Sequence, residues 1–162
     1  MSSNKYQPHV LILPEDDANR KIATGFRLDP ALLARNFQVL PVAGGWMNVL
    51  DIFLSDHIAG MYQRRDRHMV LLIDFDGQED RLSLGKARIP ADLSERVFIL
   101  GARTTPEGLK KEMGSYETIG SLMAKDCREG SDTIWRHHQL QHNAGEVERL
   151  RRNVRPILFA PS

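Results

Sequence analysis

The chain has 162 residues, 41% hydrophobic and 27% charged, enough for one globular domain that buries most of the surface its unfolded form exposes. Its 22 Lys and Arg against 21 Asp and Glu leave a net charge of +1, which excludes a chain-wide basic field for nucleic acid or membrane and confines any basic surface to a local patch. The single cysteine, Cys127, excludes an internal disulfide and a cysteine-rich zinc centre and fits a reducing cytoplasm.

The N-terminal MSSNKYQPHV lacks the charged-then-apolar pattern of a signal peptide, and no apolar run approaches the ~20 residues of a membrane span, so a cytoplasmic protein without a membrane partner is expected. Four short apolar runs bounded by turn or charged residues predict buried strands at Val10 to Leu13, Phe37 to Val42, Met69 to Ile73 and Val97 to Leu100. Between them, Asp16 to Phe26 reads as a helix, and Asp29-Pro30 as the start of a short one. Trp46, Val49, Leu50, Phe53, Leu54 and Ile58 fall on one helical stripe, which predicts a helix over 46–63. Residues 77 to 96 carry mixed charge and read as a loop with a helical turn. Helices are expected over Pro106 to Met113, Glu117 to Cys127, Ser131 to His142 and Ala144 to Asn153. Pro156 to Phe159 then reads as a last strand or an apolar tail docked on the core.

Alternating strands and helices predict an α/β fold: a mostly parallel sheet of about four strands with helices on both faces. One domain is expected over 1–162, with a core over about 9–113 and a helical C-terminal extension over about 114–162.

Acidic residues follow the predicted strands. Glu15, Asp16 and Asp17 come after the first, Asp74 and Asp76 after the third, and Glu107 six positions beyond the fourth. In a parallel sheet the carboxyl ends share one edge, where ligands bind. If strands one and three are neighbours, Glu15, Asp74 and Asp76 meet there, and carboxylates that close repel unless a cation sits among them. Hard oxygen ligands without cysteine point to Mg²⁺ or Mn²⁺. Asp16 or Asp17 also suits a helix N-cap, and Glu107 the dipole of a first helical turn.

The segments HVLILPEDDANRKIA, FQVLPVAGGWMNVLDIF and HMVLLIDFDGQEDR resemble the Toprim domain, especially the version found in OLD-type nucleases. The resemblance spans roughly residues 9 to 80. It implies a Rossmann-like sheet, with Glu15 as metal ligand or general acid/base and Asp74 and Asp76 as ligands of the divalent ion. It makes Gly44 and Gly45 the turn that shapes the rim, and Glu107 a ligand of a second metal. Asn19 stands where OLD-type relatives tend to have another acid, and Asp16 follows the glutamate where the family usually has glycine.

Two such ions hold a phosphodiester, activate water and stabilise the leaving oxygen, so the resemblance implies a nuclease acting on DNA or RNA in defence, repair or RNA processing. No GxxxxGK[ST] motif is present, so ATP-driven action requires an ATPase as protein partner; a homo-oligomer is also compatible with the family. Arg64, Arg65 and Arg67 form a candidate phosphate-guiding cluster, and Arg149, Arg151, Arg152 and Arg155 a second one that reads equally as a solvated helix face. His138 and His142 have helical ligand spacing without the glutamate of a zinc-protease motif. His137 and Trp135 suit stacking on a base or packing at a helix junction. Lys86 and Lys125 are candidates to assist at a phosphate.

Three other readings remain open from sequence. A non-catalytic module of the same fold would bind nucleic acid or a partner protein. A phosphoacceptor receiver domain fits the two acidic stretches but needs a lysine after its last strand, and RPILFAPS has none. A primase-like nucleotidyl transfer is permitted by the same acids.

Overall fold

In the computed structural model, which describes residues 7–161, four parallel strands form one sheet in the order β2-β1-β3-β4. These are β1 (His9–Pro14), β2 (Phe37–Val39), β3 (Arg67–Leu72) and β4 (Val97–Leu100). The buried stretches of β1, β3 and β4 read as apolar runs because a parallel sheet is covered on both faces, whereas β2, at the edge, leaves Gln38 exposed. Alternate residues point to opposite faces. Val10, Ile12, Val70, Leu72, Phe98 and Leu100 face one core, and Leu11, Leu13, Met69, Leu71, Val97 and Ile99 the other.

The first core is closed by α1 (Asp17–Arg27), α5 (Glu107–Met113), α6 (Tyr116–Glu129) and α7 (Ala144–Leu158). The second is closed by α2 (Trp46–Ile52), α3 (Ile58–Gln63) and the loops around α4 (Arg81–Arg88). A π-helical turn, Phe53–His57, joins α2 to α3, so the stripe over 46–63 is helical throughout. Phe53 and Met61 are fully buried beneath it. Residues beyond 113 build half of one core: Ile119, Met123, Ala124, Val147, Leu150 and Val154 belong to the same buried cluster as the strand residues.

Four local expectations are corrected. No α-helix starts at Asp29-Pro30, because Asp29 accepts from the Ala31 N–H at 2.9 Å and pairs with Arg128 at 3.3 Å. Residues 131–140 form turns instead of a helix. Asp126 takes the Ile134 N–H at 2.8 Å and the Ser131 hydroxyl at 2.7 Å, bonds that compete with a helical ladder. Only a 3₁₀ turn, Gln141–Asn143, follows. Residues 81–88 form α4, seated by Gly85, where an added Cβ would lie 2.8 Å from Ile99. Of the two readings of the chain end, the strand fails and the docked apolar segment holds: α7 runs through Pro156 to Leu158, and Phe159, buried in the first core, makes a single bridge to Leu32.

The open edge of β4 is covered by the start of α7. The Ile99 N–H donates to Glu146 at 3.0 Å and the Gly101 N–H to Asn143 at 3.2 Å, which satisfies the donors an edge strand leaves free. Burial of Glu146 is offset by Lys86 at 2.6 Å and Arg149 at 2.5 Å. Among the described residues, no helix is long and apolar enough to cross a membrane.

Candidate metal centre

Pairing of β1 with β3 sets the site. Pro14 lies opposite Leu72, and the Glu15 N–H donates to the Leu72 carbonyl at 2.9 Å, so both chains leave the sheet side by side. Glu15 and Asp74 therefore emerge together, and both are buried, at 7% and 6% exposure. The Asp74 N–H donates to Glu15 Oε2 at 3.2 Å. Asp16, the N-cap of α1, accepts from the Asn19 N–H at 2.9 Å and turns its carboxylate into the same space. Ligand atoms of Glu15, Asp16 and Asp74 all lie within 4.8 Å of one another.

Asn19 is the centre of the arrangement. It is 1% exposed, and its Nδ2 donates to Asp16 Oδ1 at 3.0 Å and to Asp74 Oδ1 at 2.9 Å. It bonds one oxygen of each acid. From the sequence Asn19 reads as a missing ligand; its placement on the first turn of α1, three residues after the cap, is the signal that would have found it.

Burial pushes the Asp74 carboxyl from its ordinary 3.8 up to about 8, helped by the charges of Asp16 and Glu15 and opposed by the Asn19 amide. Glu15 is raised for the same first reason, burial, with Asp16 and Asp76 adding to it. A crowded carboxyl raised as far as Asp74 is a group whose proton a divalent cation displaces. The donor set is three hard oxygens with no sulfur or imidazole, so the residues present fit Mg²⁺ or Mn²⁺.

Asp76 is placed elsewhere. Its backbone takes a left-handed φ of 49°, and its carboxylate pairs with Arg81 at 3.2 Å instead of joining Glu15, Asp16 and Asp74. The reason is Arg81, which sequence reasoning missed. This buried residue donates to the Asp74 carbonyl at 2.7 Å and lies 4.7 Å from the Trp46 ring centroid. Glu107 is exposed on the first turn of α5 and also lies outside the acidic group. Its charge reaches Tyr116, the first residue of α6, whose phenol is raised by burial and then by Glu107, Asp16 and Asp74.

Gly44 and Gly45 do meet the site. Their N–H groups donate to the Glu15 carbonyl at 2.8 and 3.3 Å, and their φ values of 88° and 140° favour glycine. Arg64, Arg65 and Arg67 sit at the opposite edge. Arg67 begins β3, whose six residues, at ~3.3 Å each, run between it and the end that carries Asp74. Arg67 donates to the His9 ring at 2.9 Å. The second basic cluster is spent internally: Arg149 pairs with Glu146, Arg151 with Asp132, and Arg152 with Glu148, while Arg155 bonds the Arg128 carbonyl. His138 stacks on His137 at 4.3 Å between ring centroids, away from His142, and His137 bonds Glu112.

Comparison of the chain with protein-family models, with curated proteins and with solved structures gives no match.

Proposed function

We propose that the chain is a Mg²⁺- or Mn²⁺-dependent nuclease of the Toprim type its sequence resembles, hydrolysing phosphodiester bonds of DNA or RNA. The observation that carries this reading is the convergence of Glu15, Asp16 and Asp74 within 4.8 Å at the carboxyl edge of the two central strands. Those three residues would hold the ion, which when bound supplies Lewis-acid stabilisation of charge on the phosphate. The Glu15 carboxylate, oriented by the Asp74 N–H, would act as a ligand or, with the ion held by Asp16 and Asp74, as general base toward the attacking water. Asn19 fixes the spacing of Asp16 and Asp74, and Gly44 and Gly45 fix the Glu15 backbone. Arg103, on the loop that bonds to Gly77, supplies positive charge on this rim for a nucleic-acid backbone.

A second reading, a non-catalytic nucleic-acid- or partner-binding module, is favoured by the Arg81–Asp76 pair, which holds one of the expected ligands away from the acids. Incubation with single- and double-stranded DNA and RNA in Mn²⁺ separates the two. The nuclease reading expects cleavage that EDTA abolishes and that is lost when Asp74→Ala and Asp76→Ala are combined. Cleavage that survives the double substitution contradicts the site, and metal-independent binding without cleavage supports the module.

A further inference from the structure

The two faces of the sheet are not sealed alike. On β3, Met69 and Leu71 are fully buried, whereas Val70 and Leu72, which alternate with them toward the other face, keep 5% and 8% exposure. Since β3 lies between β1 and β4 and helices cover both faces, that surface belongs to an internal cavity. The cavity has a volume of about 60 Å³. It lies between Ile12, Val70 and Leu72 of the sheet and Ala23, Met123 and Val154 of the helices, and no polar atom faces it.

Interiors pack closely, and a cavity persists only where its walls cannot move inward. Here the helices are held by contacts outside it. A Cβ on Gly120 would lie 1.8 Å from the Ile22 carbonyl oxygen, and one on Gly25 2.1 Å from that of Glu117, so α1 and α6 already meet backbone to backbone. The start of α7 is fixed to β4 by Glu146 and Asn143. Its end is fixed by the Leu33 N–H, which donates to the Leu158 carbonyl at 2.8 Å, and by the Asn36 amide, which donates to that of Ile157 at 2.8 Å. Asp126, by taking the Ile134 N–H at 2.8 Å, seats the neighbouring Trp135 against the same cavity.

The wall and the volume together select an occupant. With no polar wall atom, a water or a polar ligand would leave its hydrogen bonds unmade, whereas an apolar guest loses nothing. An apolar cavity of roughly 150 Å³ takes benzene, so this one suits a smaller guest. We infer that the cavity binds one uncharged apolar molecule of about two to four non-hydrogen atoms, with a Kd of about millimolar. Trp135 is common to its wall and to that of a surface groove of about 480 Å³ beside Val147 and Arg151, so the guest enters past the Trp135 indole. Neither the acids nor the nuclease reading enters this inference.

Methyl NMR on the full chain tests this, with xenon, dichloromethane and formamide as probes, the last two being matched in size and opposed in polarity. Xenon and dichloromethane should shift the Val70, Leu72 and Val154 methyl signals saturably, and dichloromethane should bind about tenfold or more tightly than formamide. Val70→Ile and Ala23→Val, which add carbon to the cavity from the sheet and from α1, should each raise Tm and weaken xenon binding about fivefold or more. Leu84→Ala, at an exposed position on the other side of the sheet, should keep wild-type affinity. Trp135→Phe should speed xenon exchange about threefold or more, since a smaller ring bars the entrance. Absence of a saturable xenon shift, equal binding of formamide, or wild-type xenon affinity in both filling variants overturns the inference. Unchanged exchange in Trp135→Phe overturns the route of entry alone.

Discussion

The side-chain amide of Asn19 donates to the Asp74 carboxylate at 2.9 Å across 55 positions of sequence, while the same nitrogen donates to Asp16 at 3.0 Å. One neutral donor therefore sits between two acids, and its identity decides how much negative charge the site tolerates. Asn19→Asp adds a carboxylate and removes a donor. In metal-free buffer at pH 8 it should lower stability by about 2–4 kcal/mol, and saturating Mn²⁺ should recover most of that loss. Denaturant unfolding with and without Mn²⁺ checks this; an equal loss in both conditions would show that no ion enters between the acids.

The raised Asp74 carboxyl makes metal-free stability depend on pH with a defined sign. Its folded value of about 8 lies above its ordinary 3.8, so the folded state binds a proton that the unfolded state has released. Stability from this group is complete below about pH 4 and declines as pH rises to about 8, at no more than about 1.4 kcal/mol per pH unit. Glu15 shifts in the same direction. Thermal melts in EDTA should therefore show Tm falling between pH 5 and 8, with a shallower slope for Asp74→Asn. A Tm that climbs equally in both proteins would contradict the assignment.

Asp16 keeps the capping role its spacing assigns and also lies among the acids, whereas Asp76 pairs with Arg81. Asp16→Ser keeps a capping oxygen for α1 and removes one carboxylate, so it should change stability by less than about 1 kcal/mol while weakening Mn²⁺ binding about tenfold or more. Asp76→Asn leaves Glu15, Asp16 and Asp74 in place and should weaken Mn²⁺ binding by less than Asp16→Ser does. Calorimetric titration of both variants orders them.

The strands were legible because a sheet covered on both faces needs uninterrupted apolar runs, and HVLIL, MVLLI and VFIL satisfy that need without reference to partners. Strand order then placed Glu15 beside Asp74. Asp76 was not legible in the same way. Its position depends on a left-handed backbone and on Arg81, a residue in a charged helix whose few apolar positions give no strong period. Residues 131–140 failed as a helix because Asp126, on the preceding helix, takes the backbone donor of Ile134, a bond that helical spacing does not reveal. The C-terminal arginines read as a phosphate patch or a solvated face, and only the structure shows their carboxylate and carbonyl partners.

Two glycines hold the helix that carries Asp16 and Asn19. Where α1 crosses α6, a Cβ on Gly120 would lie 1.8 Å from the Ile22 carbonyl oxygen, and one on Gly25 would lie 2.1 Å from that of Glu117. Backbone cannot yield as a side-chain tip can. Gly120→Ala should cost at least about 2–3 kcal/mol and shift α1, loosening Mn²⁺ binding although residue 120 is remote from the acids. Gly108→Ala, with nothing within 4 Å of the added carbon, is the control and should retain wild-type affinity.

Diffraction from crystals soaked in Mn²⁺ tests the central claim most directly, because the anomalous signal places the ion without reference to activity. The account predicts a peak bounded by the carboxylates of Glu15, Asp16 and Asp74, absent in Asp74→Ala. An anomalous map with no peak among those three, or with manganese held at Asp76 or Glu107 alone, would contradict it.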